Sequence, residues 1–562
     1  MQPEFDIELY NERLNALFTR FQSVQKVGFT GDAYKPGLDG MLRFSAVLGD
    51  PWKAYPCVHV AGTNGKGSVC SMIAAGLGAS GARIGLYTSP HLLDFRERMK
   101  VVSADGYEMI SREEVWEFLN SYEDAFEGLS FFEITTGMAF WWFARQGVDA
   151  AVIETGLGGR LDSTNVITPV LSVVTSIGLD HCALLGSTRS LIAREKAGIF
   201  KPGVPAVVGG LPAGENAKAG IFKPGVPAVI GGRDLETAPV FEEVAALVGA
   251  PLTFASDVPA FSFGLGSGRF SDGPGAGRLI TNEQDLLSRM DLTGPCQDIN
   301  LHTVLVALAI LSNSFDGNPH INDLSRKTAF SIQVPPFYPP PVEKNAKNST
   351  GTPIIPPTCR ENGEKLNRSE PDFKNDCSKV LNAIANAGKR TGLWGRWQRI
   401  CENPEVICDI GHNPPALKEN FARLEALANG EGLASKQPRT VIIIYGIMAD
   451  KDLAGIAPLM PAGAKYILAA PDNQRALPAD QLKARLAELR PDLDSLIADD
   501  AYCTGRANDK LAAEPYKRGS VAAAVRQALT LAQDLPNPLI YIGGSTFTVA
   551  EALPLFNENT AI

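Results

Sequence analysis

The sequence predicts an α/β protein. An N-terminal P-loop ATPase domain with a mainly parallel sheet precedes a smaller C-terminal Rossmann-like α/β domain. Three observations predict it. First, the apolar run CVHVAG from Cys57 meets the glycine-rich loop GTNGKGS, and a helical period comes next in SVCSMIAAGLGASG. Strand, loop and helix in that order open a nucleotide-binding α/β unit. Second, RIGLYTS, DAAVIET, VLSVVTSI and PAVVGG are short apolar runs, several of them separated by helical patterns. Parallel strands joined by crossover helices read this way. Third, the pattern restarts after Leu393, where PEVICDIGH, TVIIIYG, KYILAAP and PLIYIGGS read as buried strands between amphipathic helices.

The elements can be taken in chain order. Residues 1–25 alternate apolar and charged positions with a helical period, and Asp6 is placed to cap that helix. A turn-rich stretch, Gly28 to Gly40, leads to the first strand. KAGIFKPGVPAVVGG (196–210) recurs as KAGIFKPGVPAVIGG (218–232), with fourteen of fifteen positions identical. A solenoid needs at least three such units, so this is a local duplication: one copy is expected in the fold and the other looped out. Residues 331–378 carry nine prolines, including PPFYPPP. Such a composition cannot bury enough apolar surface to offset ordering entropy, so it reads as a disordered insertion and solvated spacer. A second polar insertion covers 499–518. The expected division is 1–330, a linker region 331–390, and 391–562.

Composition limits the function classes. The 562 residues are 45% apolar and 20% charged, with a net charge of −10. An acidic balance argues against a nucleic-acid-coating chain. The apolar runs are too short to span a membrane, and the start has no basic-then-apolar signal pattern. Nine cysteines without a CxxC pair fit a reduced, cytoplasmic protein better than a disulfide or zinc framework.

The chemistry centres on Gly62-Thr63-Asn64-Gly65-Lys66-Gly67-Ser68. Glycines let backbone N–H groups curl around phosphate oxygens, and the helix start adds partial positive charge. Lys66 can reach the outer phosphates, and Ser68 lies near phosphate and metal. The spacing departs from GxxxxGK[ST] by a glycine after the lysine. Phosphates on such a loop bring Mg²⁺, which prefers oxygen ligands. Ser89, Glu154 and His181 each end an apolar run. Ligands gather at the carboxyl ends of parallel strands, so these three segments can converge on the loop.

Ten ordered motifs carry a resemblance. HVAGTNGKGSV, YTSPHL, FFEITT, ETGLGGRLDSTN, GLDH and REKAGIF are succeeded by GLWGRWQ, DIGHNPPAL, YGIMADKD and GGSTF. Together they resemble the folylpolyglutamate synthase and dihydrofolate synthase family of the Mur ligase superfamily. The likeness spans roughly 45–330 and 390–555. It implies an ATP-dependent amide-forming ligase, with ATP, two Mg²⁺ ions and optionally K⁺. Ser89, Glu154 and His181 match the metal ligands. Lys196 matches a carbamylated lysine, and the duplicate offers Lys218 as a rival. Lys196 is preferred because Glu195 precedes it and it comes soon after His181. Asn300, Arg396, Asp409 and His412 match nucleotide contacts, and Arg396 reaches the phosphates from the domain junction. Phe131, Phe132 and Glu133, with Leu161, Asp162 and Ser163, match the pterin-contacting segments. His412 and Ser545 match positions near the incoming glutamate.

The resemblance therefore implies small-molecule substrates (dihydropteroate, folates and L-glutamate), no nucleic acid or membrane partner, and a monomer. AYKPGL, FFEITT and RLDST favour the bifunctional members. A monofunctional folylpolyglutamate synthase is the alternative, as is a nucleotide-binding protein whose site the duplication has impaired.

Overall fold

The computed structural model describes residues 5–21, 35–200, 206–209, 228–231, 236–240, 252–254, 258, 260–261, 280–294, 296–313, 370–431, 437–499 and 516–556. Lys218, most of the proline-rich stretch and most of 499–518 therefore lie outside the described residues.

Two sheets organise the chain. The first contains β1 (Cys57–Ala61), β2 (Ile84–Tyr87), β3 (Met99–Ser103), β4 (Gly106–Met109), β5 (Ala150–Glu154), β6 (Leu171–Val174), β7 (Ala206–Gly209), β8 (Ala228–Gly231) and β9 (Leu252–Phe254). Its order is β4-β3-β2-β5-β1-β6-β7-β8-β9. The strands from β2 to β9 in that order pair in parallel, and only the β3–β4 hairpin edge is antiparallel. The second sheet holds β10 (Gln398–Glu402), β11 (Glu405–Cys408), β12 (Thr440–Tyr445), β13 (Lys465–Leu468), β14 (Asp494–Ile497) and β15 (Pro538–Gly543). Its order is β10-β11-β15-β12-β13-β14, parallel except at the β10–β11 hairpin.

Burial explains why the strands were legible. β1, β5 and β6 are buried along their whole length, as strands covered on both faces must be, so they read as unbroken apolar runs. The helix Lys66–Ala79 is buried almost all round, because it packs under both the sheet and the helix Gln297–Asn313. The first helix, Ile7–Arg20, starts at the expected cap: Asp6 Oδ1 accepts from the backbone N–H of Glu8 and Leu9.

Two expectations are corrected. Both copies of the repeat contribute a strand: β7 pairs with β6, and β8 pairs with β7 in parallel. The two PAV(V/I)G segments have the same strand-forming pattern, so the second extends the sheet instead of looping out. The region 370–390 is also not a linker. It forms the helices Glu370–Ala385 and Ala387–Thr391, and Val380, Leu381, Ile384 and Ala387 join the core beneath the first sheet. Ile384 packs against Gly76 of the phosphate-loop helix, where an added Cβ would stand 3.3 Å away. Among the described residues no helix is long and apolar enough to cross a membrane.

Because Ile384 is fully buried, Ile384→Ala should destabilise the protein by about 2–5 kcal/mol, read from denaturant unfolding. A change below about 0.5 kcal/mol, the size seen at surface positions, would contradict this placement.

Candidate active site

The loop between β1 and the helix Lys66–Ala79 is shaped by two glycines. Gly62 has φ +152°, and a Cβ there would lie 1.9 Å from Thr175 Oγ1. Gly65 has φ +83°, and a Cβ would lie 2.3 Å from Asn300 Oδ1. Neither position accepts a side chain without displacing its neighbour. Asn300 thus sits directly on the loop. Its amide donates to Gln297 Oε1, and Gln297 Nε2 donates to the buried Ser68 hydroxyl.

Thr63 and Asn64 anchor the loop through their side chains. Thr63 Oγ1 donates to Gly178 O and accepts from Gly178 N. Asn64 exchanges two amide hydrogen bonds with Asn413 of the C-terminal domain, at 3.2 and 3.0 Å.

Two lysines meet on one carbonyl. Lys66 Nζ donates to Gly62 O at 3.0 Å and to Thr63 O at 3.3 Å. Lys196 Nζ donates to the same Gly62 O at 2.8 Å. Burial, with Lys66 nearby, pushes the Lys196 amine down to about 7. A lysine that is neutral near pH 7 can add CO₂, which an arginine cannot. Lys196 comes from the first repeat copy, on the helix Arg189–Ala197.

The metal candidates are partly assembled. Ser89 N donates to Glu154 Oε2 at 3.0 Å. Burial raises the Glu154 carboxyl, while Lys66, the Ser89 N–H and Arg396 favour its charge. His181 lines the same cavity as Ser89. Burial lowers its imidazole to about 3, leaving it neutral as a metal ligand must be. The hydroxyl and the carboxylate are oxygen ligands of the kind Mg²⁺ prefers, and Mg²⁺ usually takes few protein ligands and completes its shell with phosphate and water. Among the described residues no three His, Cys, Asp or Glu side chains form a self-sufficient metal centre.

Arg396 reaches this loop from the junction. Its Nη2 stands 3.3 Å from where a Cβ on Gly67 would lie. Asp409 sits nearby, buried, with its oxygens engaged by Trp397 N, Gly411 N and Asn420 Nδ2. In this structure that carboxylate shapes the β11 end rather than facing open space. His412 Nδ1 is 3.0 Å from the Ile410 carbonyl. A carbonyl only accepts, so Nδ1 carries the proton and Nε2 is left as acceptor. Burial lowers His412 to about 4.

Several expected substrate contacts have structural partners. Glu133 closes a capping box with Ser130 and does not line the cavity. The Asp162 carboxylate accepts from Leu157 N and Thr164 N, and Ser545 caps the helix Thr546–Ala552. Phe131 is largely core, stacked on Phe18 at 5.2 Å and under the Arg98 guanidinium. Even so, Phe131, Phe132, Leu161, Asp162, Ser163 and Ser545 all border one cavity of about 240 Å³. A larger cleft of about 1410 Å³, bordered by Asn64, Asn300 and Pro415, adjoins it. The two share His181, His412, Lys451 and Arg475.

Sequence reasoning missed Asp180, Asn413, Lys451 and Arg475. Asn413 Nδ2 donates to Asp180 Oδ2 at 3.0 Å, and Lys451 pairs with Asp180 at 3.4 Å. Burial opposes the Asp180 charge, but facing His181, Lys451 and His412 with the Asn413 bond hold its carboxyl well below the usual range. Asp180, Asn413 and Lys451 stand inside the motifs GLDH, DIGHNPPAL and YGIMADKD. Arg475 carries no such signal.

The chain resembles known proteins over much of its length. The glutamate ligase domain model of the Mur ligases matches residues 395–545. A folylpolyglutamate synthase from Lacticaseibacillus casei is 30% identical over 471 residues, covering 81% of this chain and 85% of that protein. The chain belongs to the folylpolyglutamate synthase and dihydrofolate synthase family of Mur ligases. A dihydrofolate synthase/folylpolyglutamate synthase from Bacillus subtilis is 44% identical over 202 residues, which span 34% of this chain and 46% of that protein. The solved bifunctional enzyme from Yersinia pestis, complexed with AMPPNP and Mn ion, shares the fold with a TM-score of 0.60 at 22% identity, covering 97% of each chain.

The loop geometry can be tested at two positions. Gly65→Ala should weaken ATP binding about ten-fold, since left-handed backbone costs an L-residue about 1–2 kcal/mol; titration calorimetry reads it, and unchanged affinity would contradict the crowding by Asn300. Lys196→Arg should lower turnover by about 10–100-fold, the range for a lost metal-site support, with ATP still bound. In wild-type protein stripped of CO₂, recovery on adding bicarbonate should rise as pH passes about 7. Full activity in Lys196→Arg would contradict the role.

Proposed function

We propose that this family member is a bifunctional ATP-dependent ligase. It adds L-glutamate to dihydropteroate, giving dihydrofolate, and to folates, giving polyglutamates. The observation that carries the reading is the pair of adjoining cavities that share His181, His412, Lys451 and Arg475. One is bordered by the phosphate loop and Asn300, the other by Phe131, Phe132 and Leu161. An ATP-facing cleft therefore opens directly onto an aromatic chamber of the sort a flat pterin ring fills.

The chain's own groups suit each step. Loop N–H groups and Lys66 hold the triphosphate. A substrate carboxylate oxygen attacks the γ-phosphorus; the bond to the β-phosphate oxygen breaks, and ADP and an acyl phosphate form. Charge on the transferring group is met by Lys66 and Arg396. Ser89, Glu154 and His181 would hold Mg²⁺, which would supply further positive charge to the phosphates. The glutamate amine then attacks the acyl carbon, the C–N bond forms, and phosphate leaves. Lys451 and Arg475 lie where the acidic amino acid must enter. The clasp of Asn64, Asn413, Asp180 and Lys451 holds the two domains together and keeps water from the acyl phosphate.

Cys57, Cys70, Cys182, Cys296, Cys401 and Cys408 are free thiols, and we propose a cytoplasmic setting. We propose a monomer, since both halves of the site lie on one chain.

Phosphate release with Mg-ATP and L-glutamate tests the reading, with products weighed by mass spectrometry. Both dihydropteroate and tetrahydrofolate should turn over. Turnover of tetrahydrofolate alone would reduce the protein to a folylpolyglutamate synthase. Nucleotide binding without turnover of either would leave an impaired nucleotide-binding protein.

A further inference from the structure

The hairpin β3–β4 is the antiparallel edge of the first sheet and contributes no residue to the loop or metal cluster. It nevertheless holds the chain where the N-terminal domain ends. Lys100 Nζ donates to Thr391 O at 2.7 Å and to Gly392 O at 3.0 Å. Arg390 Nη2 donates to Ser103 O and Ala104 O at 2.9 and 2.6 Å. Tyr107 lies against Gly392, where a Cβ would come 2.4 Å from its hydroxyl. The Lys100 ammonium also rests over the Tyr107 ring at 5.3 Å.

The hairpin grips the chain just before it crosses between domains. Gly392 has φ +58°, and Leu393 still packs on the N-terminal core. By Gly395 the chain belongs to the other domain: Ile410 N donates to Gly395 O, and a Cβ on Gly395 would meet Ile410 at 2.7 Å. Gly395 and Trp397 both have positive φ, +70° and +49°. Arg396 lies between them. The change from one domain to the other is thus confined to about three residues, and Arg396 is on its far side.

We propose that Lys100 is a positioning residue for phosphoryl transfer: by fixing the Thr391 and Gly392 carbonyls it sets the turn that carries Arg396 onto the phosphate loop. This rests on the ligase reading above. Lys100 is 3% exposed, and burial lowers its amine to about 8, partly offset by the field of Glu97. Its charge is directed at two backbone oxygens at the end of a short helix, where a cation is favoured. A group kept buried and charged against that penalty, and aimed at the hinge, acts through the residue the hinge carries.

Lys100→Met, Lys100→Arg and Arg390→Met, in the full-length protein, test it. Lys100→Met should keep ATP affinity, leave KM for the folate substrate near wild type, and lower kcat by about 10–100-fold, as a misplacement of about 1 Å does. Hydrogen exchange at 392–397 should rise. Lys100→Arg retains a donor for the carbonyls and should recover most of kcat. Arg390→Met loosens the same grip from the exposed side and should lower kcat by a smaller factor, which keeps the test available if Lys100→Met does not fold. A folded variant with wild-type kcat and unchanged exchange at 392–397 overturns the proposal. So does a loss of ATP affinity that accounts for the whole effect, or an Lys100→Arg protein no better than Lys100→Met. If the wild-type protein turns over neither folate substrate, the ligase reading fails, and the exchange at 392–397 still decides whether Lys100 holds the hinge.

Discussion

Two lysine amino groups share the carbonyl oxygen of Gly62, and much of the site depends on how their charge is relieved. Burial and the facing Lys66 push the Lys196 amine down to about 7, so the second positive charge there is held only weakly at neutral pH. Arg396 adds a third cation close to the same loop. Asp180 and Asp162 favour the Lys196 charge, and Glu154 faces Lys66 and Arg396, but burial opposes the charge on Lys196 and raises the Glu154 and Asp162 carboxyls. The arrangement favours added negative charge, which we propose comes from a triphosphate, a substrate carboxylate and a carbamate on Lys196. The carbamate would turn a repelling pair into an attracting one without moving the backbone.

The same charge logic extends across the domain boundary. Asp180 belongs to the first domain, while Asn413 and Lys451 belong to the second. Asn64 ties the phosphate loop into that group. The domain contact thus places one buried anion beside the Lys451 ammonium, two imidazoles and the Asn413 amide, and it borders the larger cleft beside the loop. On the opposite side, the β3–β4 hairpin holds the linker with Lys100 and Arg390. The phosphate loop lies between a clasp that joins the domains and a hinge that connects them. The neighbours of Arg396 are held on the C-terminal side, where Asp409 accepts from Trp397 N and Gly395 O accepts from Ile410 N.

Legibility in the sequence tracked burial. β1, β5, β6 and β12 are covered on both faces, so CVHVA, AAVIE, LSVV and TVIIIY stand out as apolar runs. The β3–β4 hairpin did not, because its partly exposed strand GYEM mixes polar and apolar residues. The helix Glu370–Ala385 was hidden by its neighbour: averaging it with nine prolines masked the helical spacing of Val380, Leu381 and Ile384. The repeat misled in the other direction, since similarity gave no reason for both strands to pair. Within the site, the loop and Lys196 were legible because their motifs have one physical use. Glu133 has a second use that its sequence also carries, since Ser130-x-x-Glu133 is itself a capping-box pattern. Arg475 could not be read at all, since only the fold brings it to the cavity.

The most direct test of the account is the fate of oxygen. A folate whose terminal γ-carboxylate carries oxygen-18 is turned over with Mg-ATP and L-glutamate, and the released phosphate is analysed by mass. Attack of the carboxylate on ATP over the Gly62–Ser68 loop predicts one labelled oxygen in phosphate for each amide formed. Unlabelled phosphate accompanying amide formation would contradict an acyl phosphate, and with it the role assigned to the cations around Gly62.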